Sequence, residues 1–236
     1  MNPETIQQLL KLNQLFYEQQ ATSFAESRQQ PQPGFGLLQP WLPRPCPRLL
    51  DIGCGEGRLG RFLLGQGAIG HYTGLDFSQP LLERAQATTP GRFEQRDLTR
   101  PEPLAGLGLF EAICCLAVLQ HIPGRDNRRR LLQAMKDHLA PAGRIILANW
   151  QFLDSPRQRR KIREWAPAGI PPAEVESNDY LLSWQRGGSG LRYVCHIDQE
   201  ETNQLAHQTG LTIHHQFRSD GKEGNLNLYT VFKSYE

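Results

Sequence analysis

Residues 49–57 read Leu-Leu-Asp-Ile-Gly-Cys-Gly-Glu-Gly, and this stretch decides the fold. An apolar run that ends in an acid and continues into alternating glycines is typical of a buried strand that turns sharply into a helix. Gly53, Gly55 and Gly57 permit positive φ and let a ligand approach the backbone closely. Asp76 closes the next strand-like segment, where an acid can accept two ribose hydroxyls. The stretch therefore predicts a cradle for a nucleotide-type cofactor.

Two motifs overlap in this stretch. Residues 55–60 satisfy the G-x-G-x-x-G fingerprint of dinucleotide-binding enzymes, with Asp76 about 20 residues further on. Residues 51–57 fit D-x-G-x-G-x-G, a pattern that resembles class I S-adenosylmethionine-dependent methyltransferases and places Asp51 near the methionine end of the cofactor. A chain of 236 residues suits one domain with insertions but is short for a dehydrogenase with a separate substrate domain. The methyltransferase interpretation is therefore favoured.

Strand-like and helix-like segments alternate after the glycine stretch, which predicts a parallel sheet with helices on both faces. The resemblance implies an α/β, Rossmann-like class I methyltransferase fold: a seven-stranded, mostly parallel sheet with an antiparallel C-terminal strand. We expect one domain over residues 1–236. Its predicted segments are an N-terminal helical arm with a proline-rich connector (1–47), the cofactor-binding core (48–152), a substrate-side insertion (153–193) and a C-terminal helix with a strand hairpin (194–236).

The segments before the core allow two interpretations. Apolar residues at helical spacing over 4–28 predict an amphipathic arm, which either caps the sheet edge or forms a lid over the cofactor. Six prolines over 31–47 exclude regular helix and indicate a connector.

Composition limits the compartment and the partners. The formal charge of +2 neither requires nor excludes nucleic acid. Five cysteines without a C-x-x-C pair favour reduced thiols in the cytoplasm, and no histidine has metal-ligand spacing, so no metal site is expected. No apolar run approaches the ~20 residues that span a bilayer, and the first residues lack the layout of a signal peptide, so neither a membrane span nor export is expected.

Methyl transfer is an in-line displacement, so the protein mainly positions two reactants at the carboxyl ends of the strands. We expect the glycine stretch to hold the methionine portion of the cofactor, Asp76 its ribose and Asp97 its adenine; the alternative for Asp97 is a simple helix N-cap or turn acid. The full set of predicted cofactor contacts from this core is Asp51, Gly53, Cys54, Gly55, Gly57, Asp76, Phe77, Asp97, Leu98 and Leu116.

Candidate acceptor-side residues follow the fourth strand and populate the insertion. His121 ends an apolar run and is either a base or contact residue near the reacting centre or a loop histidine bonded to backbone. Two basic clusters are either solvated helix faces or contacts for phosphate, with tryptophans available for stacking on RNA. Their members are Arg125, Arg128, Arg129 and Arg130 in the first, and Arg157, Arg159, Arg160, Lys161 and Arg163 in the second.

Three further stretches carry a narrower resemblance. Residues 17–28 are similar to the Y-D-x-x-A-x-x-F-x-x-T-R segment of the tRNA wobble-uridine carboxymethyl methyltransferases, and residues 192–196 and 224–229 are similar to that family's tail. The resemblance implies that Arg28 pairs with the cofactor carboxylate and that Arg192, Tyr193 and His196 line the substrate side. It also implies tRNA as a partner, and a small zinc-binding activator subunit as a possible one, since eukaryotic members use it.

The acceptor decides which residue is central. A carboxymethyl group is ionised at neutral pH, because its pKa is about 4, and needs no base. Arginine then becomes the expected positioning residue, with Arg192 as first candidate. A neutral oxygen or nitrogen would require proton removal and favour His121 or His196. The predicted function is methyl-ester formation on tRNA wobble uridine; the alternatives are a small-molecule carboxylate, O- or N-methyltransferase and a non-catalytic cofactor-binding RNA module.

Overall fold

The computed structural model describes residues 1–26, 30–184 and 190–234. Its α-helices are α1 (Pro3–Glu26), α2 (Pro33–Leu38), α3 (Arg58–Gly65), α4 (Gln79–Thr88), α5 (Arg125–Asp137), α6 (Pro156–Arg159) and α7 (Gln199–Thr209). Its strands are β1 (Arg48–Ile52), β2 (His71–Asp76), β3 (Arg92–Gln95), β4 (Phe110–Leu116), β5 (Leu139–Trp150), β6 (Ile162–Arg163), β7 (Asp179–Trp184), β8 (Gly190–Cys195), β9 (Leu211–Ser219) and β10 (Asn227–Ser234). Short 3-10 helices lie at Gln39–Trp41, Leu119–His121, Phe152–Asp154, Ala166–Ala168 and Pro172–Glu174.

The central sheet has seven strands in the order β3-β2-β1-β4-β5-β10-β9. Strands β1 to β5 pair in parallel, and β10 runs antiparallel to both of its neighbours. The predicted fold class is therefore confirmed. Asp51 lies near the carboxyl end of β1, with Gly74 of β2 and Cys114 of β4 on either side of it. Ligands bind at the carboxyl ends of the strands in open α/β sheets.

Strand β1 is buried on both faces, which is what covering helices on both sides of a parallel sheet require. Leu49 faces one hydrophobic core, whereas Leu50 and Ile52 face the other. All three side chains are fully buried. This double burial explains why the sequence shows a continuous apolar run here.

A second sheet, which the sequence analysis did not predict, fills the insertion. Its order is β6-β7-β8, and the register places Ile162 opposite Leu182 and Leu182 opposite Arg192. Strand β8 continues to Cys195, beyond the boundary predicted at residue 193. Strand β8 is mostly buried, and the residues of β7 are either buried or half-buried, so neither strand shows the alternation of apolar and polar residues that marks a half-exposed strand.

The prediction that residues 31–47 exclude regular helix is wrong. Helix α2 begins at Pro33, where the missing N–H costs nothing because the first helical N–H has no intrahelical partner. The long helix α1 precedes it and lies against β8, where the Asn13 side chain bonds both backbone groups of Tyr193. In the part of the chain that the structure describes, no helix combines the length and the apolarity needed to cross a membrane.

Candidate active site

A cavity of about 780 Å³ opens at the carboxyl ends of β1, β2 and β4. A volume of this order suits a cofactor-sized ligand. One wall consists of the glycine turn and the residues that follow β2 and β3, and the opposite wall includes α1, the residues after β4 and the end of β5. Helix α1 thus covers the cavity in the way expected of a lid.

The glycine turn is shaped by hydrogen bonds to the end of β2. The backbone N–H groups of Gly53 and Cys54 both donate to the Leu75 carbonyl, at 2.7 and 2.9 Å. Gly53 has φ +71°, and a Cβ there would overlap Val118. Gly55 has φ +56°, and a Cβ would project into open space. The turn thus leaves room at Gly55 for a ligand to lie against the backbone, which fits the predicted cofactor.

Asp76 lies at the end of β2, inside the cavity wall. Its carboxylate accepts the Gly55 N–H at 2.8 Å and the Ser78 N–H at 2.9 Å. Burial raises the pKa of Asp76, and these N–H donors oppose the rise. A carboxylate oxygen has more than one lone pair, so this group can also accept ribose hydroxyls.

Asp51 is buried at the end of β1 and accepts the Tyr72 hydroxyl at 2.6 Å. Burial raises the pKa of Asp51 to about 7; the Tyr72 bond lowers it, and the charge of Asp76 adds to the rise. The site therefore contains an acid that gains charge near neutral pH, beside the place predicted for the methionine end of the cofactor.

Most of the predicted cofactor residues lie together in this cavity. Asp97 is half exposed, accepts the Thr99 N–H and hydroxyl at 2.9 and 2.6 Å, and pairs with Arg100 at 3.5 Å. The predicted residues that line the cavity are Asp51, Gly53, Cys54, Gly55, Asp76, Phe77, Asp97, Leu98, Leu116 and His121. Gly57 directly precedes α3 as its N-cap and is not among the lining residues, and Arg28 lies outside the described residues.

His121 occupies the acceptor side of the cavity. Its Nδ1 is 3.0 Å from the Tyr193 carbonyl oxygen, and its Nε2 is 2.9 Å from the Tyr17 hydroxyl. A carbonyl only accepts, so Nδ1 carries the proton and Nε2 accepts the hydrogen bond from Tyr17. The tautomer of His121 is thus set by the backbone of β8.

Arg192 lies behind this wall rather than in it. Its side chain is buried, and its guanidinium lies over the rings of Trp150, Phe16 and Trp184 at 4.3, 5.3 and 5.4 Å. Burial lowers its pKa, and a hydrogen bond with Tyr17 raises it. Trp150 and Tyr17 line the cavity, so one layer of side chains separates Arg192 from the ligand space.

The other two predicted acceptor residues point elsewhere. The Tyr193 hydroxyl donates to Asp179 at 2.7 Å and accepts from Arg128 at 3.4 Å, away from the cavity wall. The His196 ring packs edge-on against Phe152 with centroids 5.2 Å apart, and burial lowers its pKa. Tyr193 therefore contacts the site through its backbone carbonyl, which bonds His121 Nδ1.

The two basic clusters differ in structure. Arg125 and Arg128 pair with Glu201 and Glu176, at 3.1 and 2.7 Å, and Arg128 is only 2% exposed. The arginines between the start of α6 and the end of β6 are exposed instead: Arg157, Arg159, Arg160 and Arg163. Arg125 and Arg128 of the first cluster thus contribute to the packing of α5, while Arg129 and Arg130 face solvent. The second cluster forms a cationic surface on the insertion.

Sequence reasoning missed several residues of this site. Tyr17 is the first residue of the segment 17–28 that resembles the methyltransferase family, and Trp150 ends β5, so both carried a signal. Asn13 and Arg58 carried none beyond a position on a helix and a position after a glycine. Their roles depend on contacts with parts of the chain that are distant in sequence.

The sheet order, the glycine turn and the acid after β2 define a class I S-adenosylmethionine-dependent methyltransferase domain. Residues 50–145 match the family model described as a methyltransferase domain. At the level of this domain class, the predictions of a methyltransferase and of S-adenosylmethionine as its cofactor are confirmed.

Individual proteins give the same class. The trans-aconitate 2-methyltransferase of Streptomyces avermitilis is 32% identical over 130 residues, which are 51% of this chain and 45% of that protein. A protein of Encephalitozoon cuniculi named as a methyltransferase is 24% identical over 201 residues, 84% of this chain and 86% of its own. The chain spans about half the length of the first curated relatives it matches.

A solved structure shows the same fold. CalS10, an amino pentose methyltransferase of Micromonospora echinaspora with bound S-adenosylmethionine, superposes with a TM-score of 0.62 over 90% of this chain and 96% of that chain. Its sequence identity is 18%, so the likeness concerns the fold alone. The methyl acceptor of this chain must be argued from its own site.

Proposed function

We propose that this protein transfers the methyl group of S-adenosylmethionine to a carboxylate, and that the acceptor is the carboxymethyl group of a wobble uridine in tRNA, which becomes a methyl ester. The observation that carries the proposal is the environment of Arg192. It is a buried cation whose guanidinium meets aromatic faces, and among the described residues no acidic side chain pairs with it.

An unpaired buried charge is costly. Removing one ion from water costs several kcal/mol, and each aromatic face returns roughly 0.5–2 kcal/mol. The Nε and Nη1 atoms of Arg192 have no hydrogen-bond partner among the described residues. A substrate carboxylate would supply the missing counter-ion, since a guanidinium binds a carboxylate through paired, charge-assisted hydrogen bonds.

Tyr17 lies between Arg192 and the ligand space. We infer that the acceptor carboxylate takes the place of the Tyr17 hydroxyl on Arg192, while that hydroxyl keeps its bond to His121. The cofactor supplies an activated methyl group when bound. The acceptor carboxylate is already ionised, so the residues of this chain need only hold it in line with that methyl group and exclude water.

The insertion supports an RNA acceptor. Strand β6 carries Arg163, and it pairs with β7, which pairs with β8 and Arg192. Two strand spacings place the cationic edge about 10 Å from the row of Arg192. Exposed arginines at this distance suit the phosphates that flank a modified nucleotide.

The test is transfer of labelled methyl from S-adenosylmethionine to tRNA that carries carboxymethyluridine, followed by mild alkali and collection of methanol. Alkali-labile label in RNA would support the ester. Parallel reactions offer unmodified tRNA and trans-aconitate, the latter because one relative bears that name. Label in trans-aconitate and none in RNA would contradict the tRNA acceptor but keep the carboxylate class. RNA that stays unlabelled would also call for repetition with a small activator subunit.

A variant series separates acceptor binding from cofactor binding. Arg192→Met should lower kcat/KM at least about 100-fold, because the carboxylate loses its charged partner, and should change S-adenosylhomocysteine affinity by less than about twofold. Arg218→Met is the matched control, since Arg218 pairs with Asp154 at 2.9 Å and lies outside the cavity wall. Equal loss of turnover and cofactor affinity in Arg192→Met would contradict its role.

A second candidate is transfer to a neutral hydroxyl or amine of a small molecule. The observation that favours it is His121, whose Nε2 accepts from Tyr17 and which lines the cavity directly. The pair could take a proton from the acceptor. In that case His121→Gln should lower kcat at least about 100-fold. A carboxylate acceptor predicts a small effect of this substitution.

A further inference from the structure

Arg128, near the start of α5, is a buried cation that the proposed transfer does not use. Its side chain is 2% exposed. Its Nη1 donates to the Ile122 carbonyl at 3.1 Å, and its Nη2 donates to the Glu176 carboxylate at 2.7 Å. One guanidinium therefore joins the turn that follows β4 to the insertion, and this turn carries His121.

The insertion end of this contact continues to Tyr193. The Glu176 N–H donates to Asp179 at 2.9 Å, and Asp179 also accepts the Tyr193 hydroxyl at 2.7 Å. Because the hydroxyl proton points to Asp179, the hydroxyl oxygen can accept Arg128 Nη1, which lies 3.4 Å away. Arg128 is thus linked to the Tyr193 side chain both directly and through two carboxylates.

The two parts that Arg128 joins also bond each other at His121. Ile122 directly follows His121, and the Tyr193 carbonyl oxygen lies 3.0 Å from His121 Nδ1. Asn13 of α1 donates to the His121 and Tyr193 carbonyls, so this contact is braced from two helices. The length of the Nδ1 contact depends on how far the turn lies from β8, and Arg128 spans the same gap.

We propose that Arg128 is a positioning residue for His121. A neutral imidazole carries its proton on Nδ1 or on Nε2, and a carbonyl beside Nδ1 favours the first form. By holding the turn against β8, Arg128 keeps the proton on Nδ1, so that Nε2 accepts the Tyr17 hydroxyl. The role requires a guanidinium, because its planar fork bonds two acceptors in fixed directions, whereas an ammonium is a point charge.

The inference rests on the proposed function only in its use of His121 beside the acceptor. The His121 proton can be located without any acceptor, so the positioning role and the proposed function can fail separately. The measurement is a two-bond nitrogen–proton NMR spectrum of the full chain with isotope-labelled histidine, at alkaline pH, where histidine rings are neutral. Loss of one set of signals in His121→Gln identifies those of His121.

The first comparison replaces the guanidinium by an ammonium. In the wild type the Nδ1–H form should exceed the Nε2–H form at least about tenfold. Arg128→Lys keeps a cation beside Glu176 but loses the fork, and should lower this ratio about threefold or more. The fall is partial because Asn13 still braces the contact. Arg125→Lys is the matched control on the same helix, since Arg125 pairs with Glu201 at 3.1 Å, and should keep the wild-type ratio.

The second comparison removes one hydroxyl and leaves Arg128 in place. Tyr193→Phe should lower the ratio in the same direction, whereas Tyr180→Phe should leave it unchanged, since that ring packs edge-on against Phe152 at 5.4 Å. A wild-type protein with its proton mainly on Nε2 would overturn the inference. So would wild-type ratios in Arg128→Lys and Tyr193→Phe, or an equal fall in the two controls. Tyr193→Phe alone decides the matter if Arg128→Lys does not fold.

Discussion

The two walls of the cavity are built from different material. The cofactor wall, formed by the glycine turn and the residues after β2 and β3, consists mostly of backbone and short acidic side chains. For example, the Gly53 N–H donates to the Leu75 carbonyl, and the Gly55 N–H donates to the Asp76 carboxylate. The acceptor wall is built from longer side chains on separate elements, and its central contact joins Asn13 to Tyr193, 180 positions apart. Local backbone geometry therefore determines the first wall, and long-range packing determines the second. The two walls should respond differently to substitution.

The largest expected effect comes from the buried ion pair that joins α5 to the insertion. Arg128 is 2% exposed, pairs with Glu176 at 2.7 Å and donates to the Ile122 carbonyl at 3.1 Å. Arg128→Met leaves the Glu176 carboxylate without its positively charged partner, so we expect a loss of about 3–5 kcal/mol in unfolding free energy, measured in urea. Arg129→Met, which removes an exposed cation 3.8 Å from Asp126, should cost about 0.5 kcal/mol or less. Similar small losses in both variants would mean that this ion pair does not stabilise the packing of the insertion on α5.

The cofactor wall is tested by its ribose acid. Asp76→Ala removes the acceptor of the Gly55 and Ser78 N–H groups and the proposed acceptor of the ribose hydroxyls. We expect S-adenosylhomocysteine affinity to fall about 100-fold, measured by calorimetry, because charge-assisted hydrogen bonds are lost in a buried place. Asp97→Ala should reduce affinity about fivefold or less, since that carboxylate is 54% exposed. Equal losses would remove the distinction between the two acids.

How much of this site the sequence reveals follows from the same difference. Asp51, Asp76 and Asp97 each end or follow a strand of the parallel sheet, so their meeting at one edge could be predicted from chain order. The hydrogen bonds between the Asn13 side chain and the Tyr193 backbone, here called the latch, could not be predicted, because pairing across such a separation depends on how the insertion folds.

Arg58 and the insertion sheet illustrate two further reasons. Arg58 was visible as a cation after a glycine, but its orientation depends on Gln32 and Asp220, which come from opposite ends of the chain. Strands β7 and β8 were missed because burial on both faces removes the alternating pattern.

The latch itself gives a smaller effect than the ion pair. Asn13 accepts the Tyr193 N–H at 2.8 Å and donates to the Tyr193 and His121 carbonyls at 3.2 and 3.3 Å. Asn13→Ala should cost about 1–3 kcal/mol of unfolding free energy, because buried backbone groups lose their partner. It should also raise the KM for the acceptor while cofactor affinity stays within about threefold. Gln8→Ala is the control, since Gln8 is exposed on the same helix and lies outside the cavity wall. A fall in cofactor affinity in Asn13→Ala as large as the rise in acceptor KM would show that the two walls are coupled.

The smallest effect is a pH dependence that belongs to the cofactor wall alone. Burial raises the pKa of Asp51 to about 7, with Tyr72, Asp76 and Arg58 as its charged or hydrogen-bonding neighbours. An acid whose pKa is raised on folding is protonated in the folded state, so its contribution to stability is present at low pH and is lost as pH rises through about 4 to 7. Binding has the opposite sign: the cofactor carries an ammonium and a sulfonium cation, and the ionised acid attracts them.

Affinity for S-adenosylmethionine should therefore rise between pH 6 and pH 8, by at most about tenfold per unit for one linked proton. Asp51→Asn should flatten that profile in calorimetry, because an amide cannot ionise, while the acceptor wall is untouched. Asp97→Asn is the comparison, since that exposed acid should leave the slope as it is in the wild type. A slope that persists in Asp51→Asn would assign the proton to another group, and buried Asp76 in the same wall would then be the next to replace.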